Sequence, residues 1–252
     1  MLSYETLHEI DVHIRAAATS PAGRALARGR ALVAILAAAL CIGAMVAGPA
    51  AAHDAALNAA RPAMQSETLN RVTAPASDDA RQIFDWVIRT GDNRGMPFVI
   101  VDKKQTTVRV FDARGRLLGA TAALLGLALG DDSAPGIGGR KLADIRPQER
   151  TTPAGRFVAS LGRDLGRQDI LWVDYDTAFA LHRVLATNSR EHRLERLSTA
   201  APVEHRITFG CINVPAEFYD RIVQPAFTGT SGVVYVLPEV KTISKVFFSS
   251  AA

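Results

Sequence analysis

The chain has 252 residues, of which 48% are hydrophobic, so it is long enough to bury one core of ordinary domain size. Its 29 lysines and arginines exceed its 25 aspartates and glutamates, which gives a formal net charge of +4. The excess is spread thinly, with no basic block and little aromatic interleaving, and this pattern argues against nucleic-acid binding. A diffuse positive surface is compatible with an anionic polymer such as a cell wall.

An uncharged apolar run occupies residues 31–47, with arginines before it and small residues after it. A charged region, an apolar region and a small-residue exit are typical of a secretory signal. Two interpretations stay open: cleavage before His53, or an uncleaved anchor in the inner membrane, since the run approaches membrane-spanning length. Both place the following residues outside the inner membrane, in the periplasm or the cell envelope.

The chain divides into four segments. Residues 1–52 hold a cytoplasmic n-region and the signal or anchor. Residues 53–95 combine a linker with a short amphipathic helix, which the apolar spacing predicts at 78–90. Residues 96–238 are the predicted folded domain, and residues 239–252 are a C-terminal tail.

Periodicity within residues 96–238 changes to that of strands. Residues 125–149 are glycine-rich and too punctuated for a regular element, and a long loop in a compact domain is typical of a binding loop or lid. Residues 216–227 carry apolar side chains at helical spacing. We therefore predict a mainly-β domain, a strongly curved sheet or sandwich with one or two covering helices. Runs of β-branched and aromatic residues predict strands at 98–102, 107–112, 117–121, 157–160, 170–174, 178–181 and 233–237.

Cys211 is the only cysteine outside the apolar run, which contains Cys41. Structural cysteines in an oxidising compartment come in pairs, so an exported thiol without a partner needs another reason. Gly210 precedes it and lets the backbone approach a substrate closely. These features indicate a nucleophile rather than a packed core residue. One cysteine and scattered histidines lack the usual ligand spacing, so we expect no metal and no other cofactor.

The order of these motifs resembles the catalytic domain of the L,D-transpeptidases, cysteine enzymes that cross-link peptidoglycan. Residues 152–157, Thr-Pro-Ala-Gly-Arg-Phe, are similar to the family's Thr-Pro-x-Gly-x-Phe, and a strand ending in His182 follows. Residues 208–213, Thr-Phe-Gly-Cys-Ile-Asn, are similar to its Ser/Thr-x-Gly-Cys-aliphatic-Arg/Asn. The resemblance runs from about 98 to 238 and implies the family's curved β fold and a role in cell wall organisation and cell shape.

The resemblance also implies a chemistry. Cys211 attacks the carbonyl of an L-diamino acid–D-Ala bond in a peptidoglycan stem, and the amine of a second stem resolves the thioester. His182 is the implied proton donor and acceptor. Backbone N–H groups of Gly210 and Cys211 are expected to form an oxyanion hole, in a loop that Thr208 and Asn213 order.

Three histidines compete for the role of the base. His182 lies 29 positions before Cys211, which is a long gap for the family, whereas His192 lies 19 before and suits the ordinary spacing. His192, however, belongs to the charged run 189–196, which indicates a solvated insertion. His205 lies six positions before the cysteine. A group on a rigid strand favours His182, and the residues that follow it are then an inserted segment covering the cleft.

Two further residues leave alternatives open. Arg183 is a candidate for binding a substrate carboxylate, or an exposed side chain. Phe209 replaces a histidine found in many members, which leaves the acceptor undefined. Attack by water instead of an amine makes the chain an L,D-carboxypeptidase. A non-catalytic peptidoglycan-binding module and an unrelated cysteine peptidase are the remaining alternatives.

Overall fold

The computed structural model of the chain describes residues 76–164 and 168–248. The predicted signal or membrane anchor, and the linker before residue 76, lie outside these ranges. Among the helices within them, none is long and apolar enough to cross a membrane.

An eight-stranded mixed sheet forms the body of the domain, in the order β3-β2-β1-β10-β5-β6-β7-β9. Neighbouring strands are antiparallel except for β1–β10 and β7–β9, and a short parallel pair, β4–β8, lies apart. The predicted strands are confirmed, with small shifts at their ends. Their bounds are β1 Phe98–Asp102, β2 Thr107–Phe111, β3 Leu117–Ala122, β4 Leu125–Gly126, β5 Gly155–Arg163, β6 Asp169–Asp174, β7 Phe179–Arg183, β8 Arg206–Thr208, β9 Ile212–Val214 and β10 Ser231–Val236.

Helix α1 (Asp78–Thr90) covers one face of the sheet, as predicted. Ser77 caps it by accepting a hydrogen bond from the Ala80 N–H at 3.1 Å, and Gly91 ends it in the left-handed conformation, with φ of 66°. Its buried Ile83 contributes to a cluster with side chains of β1 and β10. A helical turn at Ser244–Phe248, in the segment predicted as a tail, adds two phenylalanines to the same cluster.

A second helix covers the opposite face. The valine, isoleucine and aromatic side chains of β1 and β10 are buried. Because alternate side chains of a strand point to opposite faces, both faces of the sheet are covered at these two strands. The core on this second face joins strands from both halves of the sheet to Tyr219 and Val223. Helix α3 is continuous through three segments, Ala216–Phe218, the π-helical Tyr219–Val223 and Gln224–Phe227.

One contact nearly closes the sheet. Leu124, two residues after β3, exchanges backbone hydrogen bonds of 2.8 and 2.9 Å with Asn213 of β9. The first and last strands of the sheet order are thereby brought together. The prediction of a mainly-β domain with a curved sheet and a few covering helices is confirmed.

Lys103 is completely buried at the end of β1, where the sequence predicts only a turn. Its ammonium donates to Gly130 O at 2.5 Å, to Asp131 Oδ1 at 2.7 Å and to Thr152 O at 2.8 Å. Glu239 Oε1 lies 3.4 Å away. A buried ammonium needs such partners, because desolvation without them costs several kcal/mol, on the order of a domain's whole stability.

Arg206 completes this buried charge cluster with Lys103, Asp131 and Glu239. Its guanidinium pairs with Glu239 and donates to Lys103 O at 2.7 Å. Burial raises the pKa of the Asp131 carboxyl, but hydrogen bonds from Lys103 and from the backbone N–H groups of Lys241 and Glu239 outweigh it and lower that pKa to about 2. Two cations therefore balance two carboxylates.

Replacing Lys103 by Met should lower the free energy of unfolding by about 3–5 kcal/mol, because Asp131 stays buried without its cation. Urea denaturation followed by circular dichroism measures the change. Lys104→Met is the matched control, since Lys104 is exposed and pairs with Asp79 at the surface, where such a pair contributes about 0–1 kcal/mol. Equal losses in the two variants would contradict a special role for the buried lysine.

Acid should destabilise the domain through Asp131. Its pKa is 3.8 as a free side chain and about 2 in the fold, so its contribution of about 2 kcal/mol is complete above pH ~4 and is lost as the pH falls to ~2. Between pH 5 and 2, the urea midpoint of unfolding should therefore fall less steeply with decreasing pH in Asp131→Asn than in wild type. The exposed Asp132→Asn variant should keep the wild-type slope.

Candidate active site

Cys211 lies in the loop that joins β8 to β9. Gly210 has a φ of 133°, and a Cβ at this position would lie 2.7 Å from Thr151 O, so a side chain does not fit. The Gly210 N–H donates to Thr208 Oγ1 at 3.2 Å, and this hydroxyl donates to Cys211 O at 2.7 Å. One threonine side chain therefore fixes the backbone on both sides of the cysteine.

Thr152 ties the upstream Thr-Pro-Ala-Gly turn to this loop. Its hydroxyl donates to Gly210 O at 2.8 Å and accepts the Gly126 N–H at 2.8 Å. Its carbonyl accepts from Lys103, so the buried charge cluster and the cysteine loop share one residue. The two motifs that carried the resemblance are thus joined through hydrogen bonds.

A small cleft opens beside Cys211. The glycine-rich loop after β4, predicted as a binding loop or lid, forms one wall, and the β6–β7 turn forms another. Among the described residues that line the cleft, none has a charged side chain. They are Ser133, Ile137, Thr151, Pro153, Thr177, Ala178, Phe179, Phe209, Gly210 and Cys211.

Phe209 packs against the glycine-rich loop. Its ring packs against an apolar cluster that contains Ile137, Leu142 and Ile145. The guanidinium of Arg150 lies 4.0 Å from the ring centroid on the other side. Phe209 therefore gives the cleft wall an apolar support.

His182 lies inside β7, directly opposite Asn213 of β9. Cys211 precedes Asn213 by two residues and packs on the same sheet face as Ala180. Two residues along a strand correspond to about 7 Å between Cα atoms, a separation that a cysteine and a histidine side chain together can span. His182 and Cys211 thus lie on the same face of the sheet, on neighbouring strands and two residues out of register.

The hydrogen bonds of His182 define its tautomer. Nδ1 lies 2.8 Å from Arg183 O, which only accepts, so Nδ1 carries the proton. Nε2 lies 3.0 Å from Asn213 Nδ2 and accepts from this amide. The ring orientation is fixed at both nitrogens, and Nε2 is the nitrogen that carries the lone pair.

The thiol has a carbonyl partner. Cys211 Sγ lies 3.7 Å from Ala178 O, which suits donation by the S–H group. Ala178 holds a left-handed φ of 53° in the β6–β7 turn, an uncommon conformation for a residue with a side chain. Such outliers concentrate at functional sites.

Arg183 points to the opposite face, because neighbouring residues of a strand alternate. Its guanidinium donates to Asp220 Oδ1 at 2.7 Å, lies 3.2 Å from Asp169 Oδ1 and sits 4.2 Å above the Tyr219 ring. The protein itself holds this cation, and we assign it no contact with a substrate.

The other two candidate histidines lie elsewhere. The side chain of His192 is 66% exposed and approaches Glu195 at 3.9 Å. His205 is buried, and its Nδ1 lies 2.8 Å from Thr106 Oγ1. Across residues 76–164 and 168–248, no group of three or more His, Cys, Asp and Glu side chains is placed to hold a metal ion.

Residues 184–205, which we call the insertion, connect β7 to β8 and include helix α2 (Arg193–Ser198). Leu197 is buried in an apolar cluster with residues near the end of β3. Arg193 Nη1 donates to Asn213 Oδ1 at 2.9 Å, and this side chain is only 14% exposed. The expectation of a solvated run over 189–196 is therefore wrong at Arg193. The insertion contributes no lining residue to the cleft beside Cys211, and it reaches the site through Arg193 on the Asn213 side.

No protein-family model and no curated protein sequence matches the chain. Among solved structures, the helical cell shape determining protein Pgp2 from Campylobacter jejuni matches 58% of this chain and 49% of its own, at 14% identity and a TM-score of 0.38. The LD transpeptidase LdtMt1, solved with imipenem, matches 56% and 58%, at 16% identity and a TM-score of 0.33. The catalytic domain of an E. faecium L,D-transpeptidase matches 56% and 95%, at 15% identity and a TM-score of 0.26.

The chain thus spans 49% and 58% of the first two solved chains. L,D-transpeptidase catalytic domains are among the structures it is similar to, as the motif order predicts. Identities and TM-scores are low, so the activity of this chain has to be derived from its own residues.

Thr152→Val should loosen the cysteine loop. The variant keeps the side-chain volume but removes the bonds to Gly210 O and Gly126 N–H, at a cost of about 1–3 kcal/mol for buried groups left unpaired. We expect roughly a tenfold slower reaction of Cys211 with an acyl donor, since misplaced catalytic groups lose rate steeply. Intact mass over time measures it. Thr228→Val, which removes one exposed hydroxyl directly after α3, should react at the wild-type rate.

Proposed function

We propose that the chain is a peptidoglycan L,D-transpeptidase, which transfers the acyl group of a tetrapeptide stem through a thioester on Cys211 to an amine acceptor. One observation carries the proposal. The thiol stands on a rigid loop at the edge of an uncharged cleft, on the same sheet face as a histidine whose Nδ1–H is held by the Arg183 carbonyl. The motifs that place these groups are those of the family resemblance.

The first half of the reaction uses His182 as a base. Nε2 gives up its hydrogen bond from Asn213 Nδ2 and takes the thiol proton, and the sulfur attacks the carbonyl carbon between the diamino acid and the terminal D-Ala. The C–S bond forms and the carbonyl oxygen becomes an oxyanion. When the C–N bond breaks, the imidazolium returns its proton to the departing amine, and D-Ala leaves.

In this proposal, backbone N–H groups of the cysteine loop stabilise the oxyanion. The Gly210 N–H is engaged by Thr208 Oγ1 at 3.2 Å, a long bond, while the proton of this hydroxyl is committed to Cys211 O. The oxyanion therefore competes with a weakly bound neutral oxygen for this N–H and attracts it more strongly because it is charged.

The second half releases the thioester. An acceptor amine attacks the carbonyl and gives its proton to His182, the C–S bond breaks and the thiolate recovers the proton. Attack by water in the same step makes the enzyme an L,D-carboxypeptidase. This second candidate is favoured by the 5% exposure of His182, which leaves little room for a bulky acceptor beside the base.

Export fits the same proposal. The substrate lies in the cell envelope, and residues 31–47, outside the described ranges, supply the export signal or the membrane anchor. Peptidoglycan stems are the proposed partners, and the thin positive charge of the chain is compatible with an anionic wall polymer.

Incubation with a disaccharide tetrapeptide should release D-Ala and form cross-linked dimer, with trimmed tripeptide monomer as the hydrolytic product. Separation of the products by mass decides between an amine and water as the acceptor. A carbapenem, which mimics the acyl donor, should add its mass to Cys211. Cys211→Ala should abolish both results, because no other exported thiol exists in the chain.

The base is tested by two matched variants. His182→Gln should lower acylation by about 10²–10⁴-fold, the usual contribution of general acid–base catalysis. His192→Gln, in an exposed side chain, should leave acylation unchanged. Binding of muropeptide without any adduct in wild type would instead establish a non-catalytic wall-binding module.

A further inference from the structure

We propose that Arg193 of the insertion is a positioning residue that sets the proton state of Cys211 and His182, acting through Asn213. This inference rests on the proposed function only in taking these two side chains as the reacting pair. Arg193 lies outside the motif segments that carry the family resemblance. Its contact with the site is therefore a feature of this chain's insertion.

Three hydrogen bonds run in one direction. Arg193 Nη1 donates to Asn213 Oδ1 at 2.9 Å, and Asn213 Nδ2 donates to His182 Nε2 at 3.0 Å. His182 Nδ1 then donates to Arg183 O at 2.8 Å. The first donor and the last acceptor have fixed roles, because a guanidinium cannot accept and a carbonyl cannot donate.

Arg193 decides which end of the Asn213 amide faces the histidine. An asparagine amide presents an acceptor on one side and donors on the other, so either end can face Nε2. With the guanidinium on one side, the oxygen must turn to Arg193 and the NH₂ group to His182. Glu191 Oε2 holds Arg193 Nε at 2.5 Å and keeps this cation in place.

The consequence is a neutral histidine. A protonated Nε2 would direct its N–H at the NH₂ group of Asn213, and two donors would face each other. Cys211 is held as the protonated thiol, since the S–H group donates to Ala178 O and this carbonyl would repel a thiolate. Both members of the pair are thus kept uncharged at rest.

No other charged side chain described near His182 takes over the role of Arg193 in orienting the Asn213 amide. Arg193 and Glu191 approach from the insertion, while Arg183 with Asp169 and Asp220 lies on the opposite face. The neighbouring elements present apolar or neutral groups on the face of His182, namely Ile170 and Trp172 of β6, Ala180 of β7, and Cys211 and Asn213 at β9.

Withdrawing Arg193 releases the Asn213 amide. Its oxygen can then turn to Nε2 and accept a hydrogen bond from the imidazolium, which favours transfer of the thiol proton to His182. Docking of the insertion therefore keeps the nucleophile protonated, and displacement of the insertion raises the thiolate fraction of Cys211.

The test follows alkylation of Cys211 by iodoacetamide between pH 5 and 9 in the full chain, by mass spectrometry of the peptide that contains this residue. Arg193→Gln should lower the pH of half-maximal rate by about one unit, as expected when a donor facing a cation is exchanged for an acceptor. Asn213→Asp, which has no donor to offer Nε2, should shift it in the same direction. Arg190→Gln, an exposed arginine of the same insertion, should not shift it.

Thermal melting establishes that each variant is folded. A folded Arg193→Gln with an unchanged or higher midpoint overturns the inference, and so does a uniformly slower rate at every pH, which would indicate structural support only. If Arg193→Gln does not fold, Asn213→Asp decides in the same way. Alkylation needs no muropeptide, so failure of the transpeptidase assay leaves this outcome readable.

Discussion

The buried ammonium of Lys103 is the contact on which the arrangement of the site depends. A cation with no exposed surface must have each of its three donors satisfied, and here they hold the glycine-rich loop, Asp131 and the carbonyl of Thr152. The hydroxyl of Thr152 in turn holds Gly210 O, one residue before Cys211. The contacts that compensate the charge of Lys103 thus also fix the backbone of the cysteine loop and the glycine-rich loop that forms one wall of the cleft.

Asn213 joins the closure of the sheet to the chemistry of the site. Its backbone bonds to Leu124 bring the two ends of the sheet together, and its side chain bonds to His182 and to Arg193. A polar residue is tolerated in this buried strand because these groups satisfy it. The curvature of the sheet and the orientation of the proposed base therefore depend on the same residue, so neither can shift without the other.

Local pattern was sufficient for most of the fold and for part of the site. Strands such as β1 and β10, helix α1 with its serine cap, and the helix after the cysteine loop follow from periodicity and capping, which depend on nearby residues. Lys103 and Arg193 could not be placed in this way. Both sit in charged stretches that look solvated, and each is buried by partners distant in sequence. The apolar Leu197, directly after the charged run, was the sequence signal that the insertion packs against the domain.

The neutral resting state proposed for Cys211 would have a physical use in a protein that is exported, as we propose for this chain. The thiolate, not the thiol, is the form that oxidants and stray electrophiles attack, and an exported thiol meets both. In this site the uncharged cleft lining, the Ala178 carbonyl and the Asn213 amide all disfavour charge on Cys211 or His182. In the proposed reaction, proton transfer becomes favourable when an acyl donor occupies the cleft and the developing oxyanion meets the N–H groups of the loop, in addition to any displacement of the insertion. The features that protect the thiol at rest are thus the ones that couple its activation to the substrate.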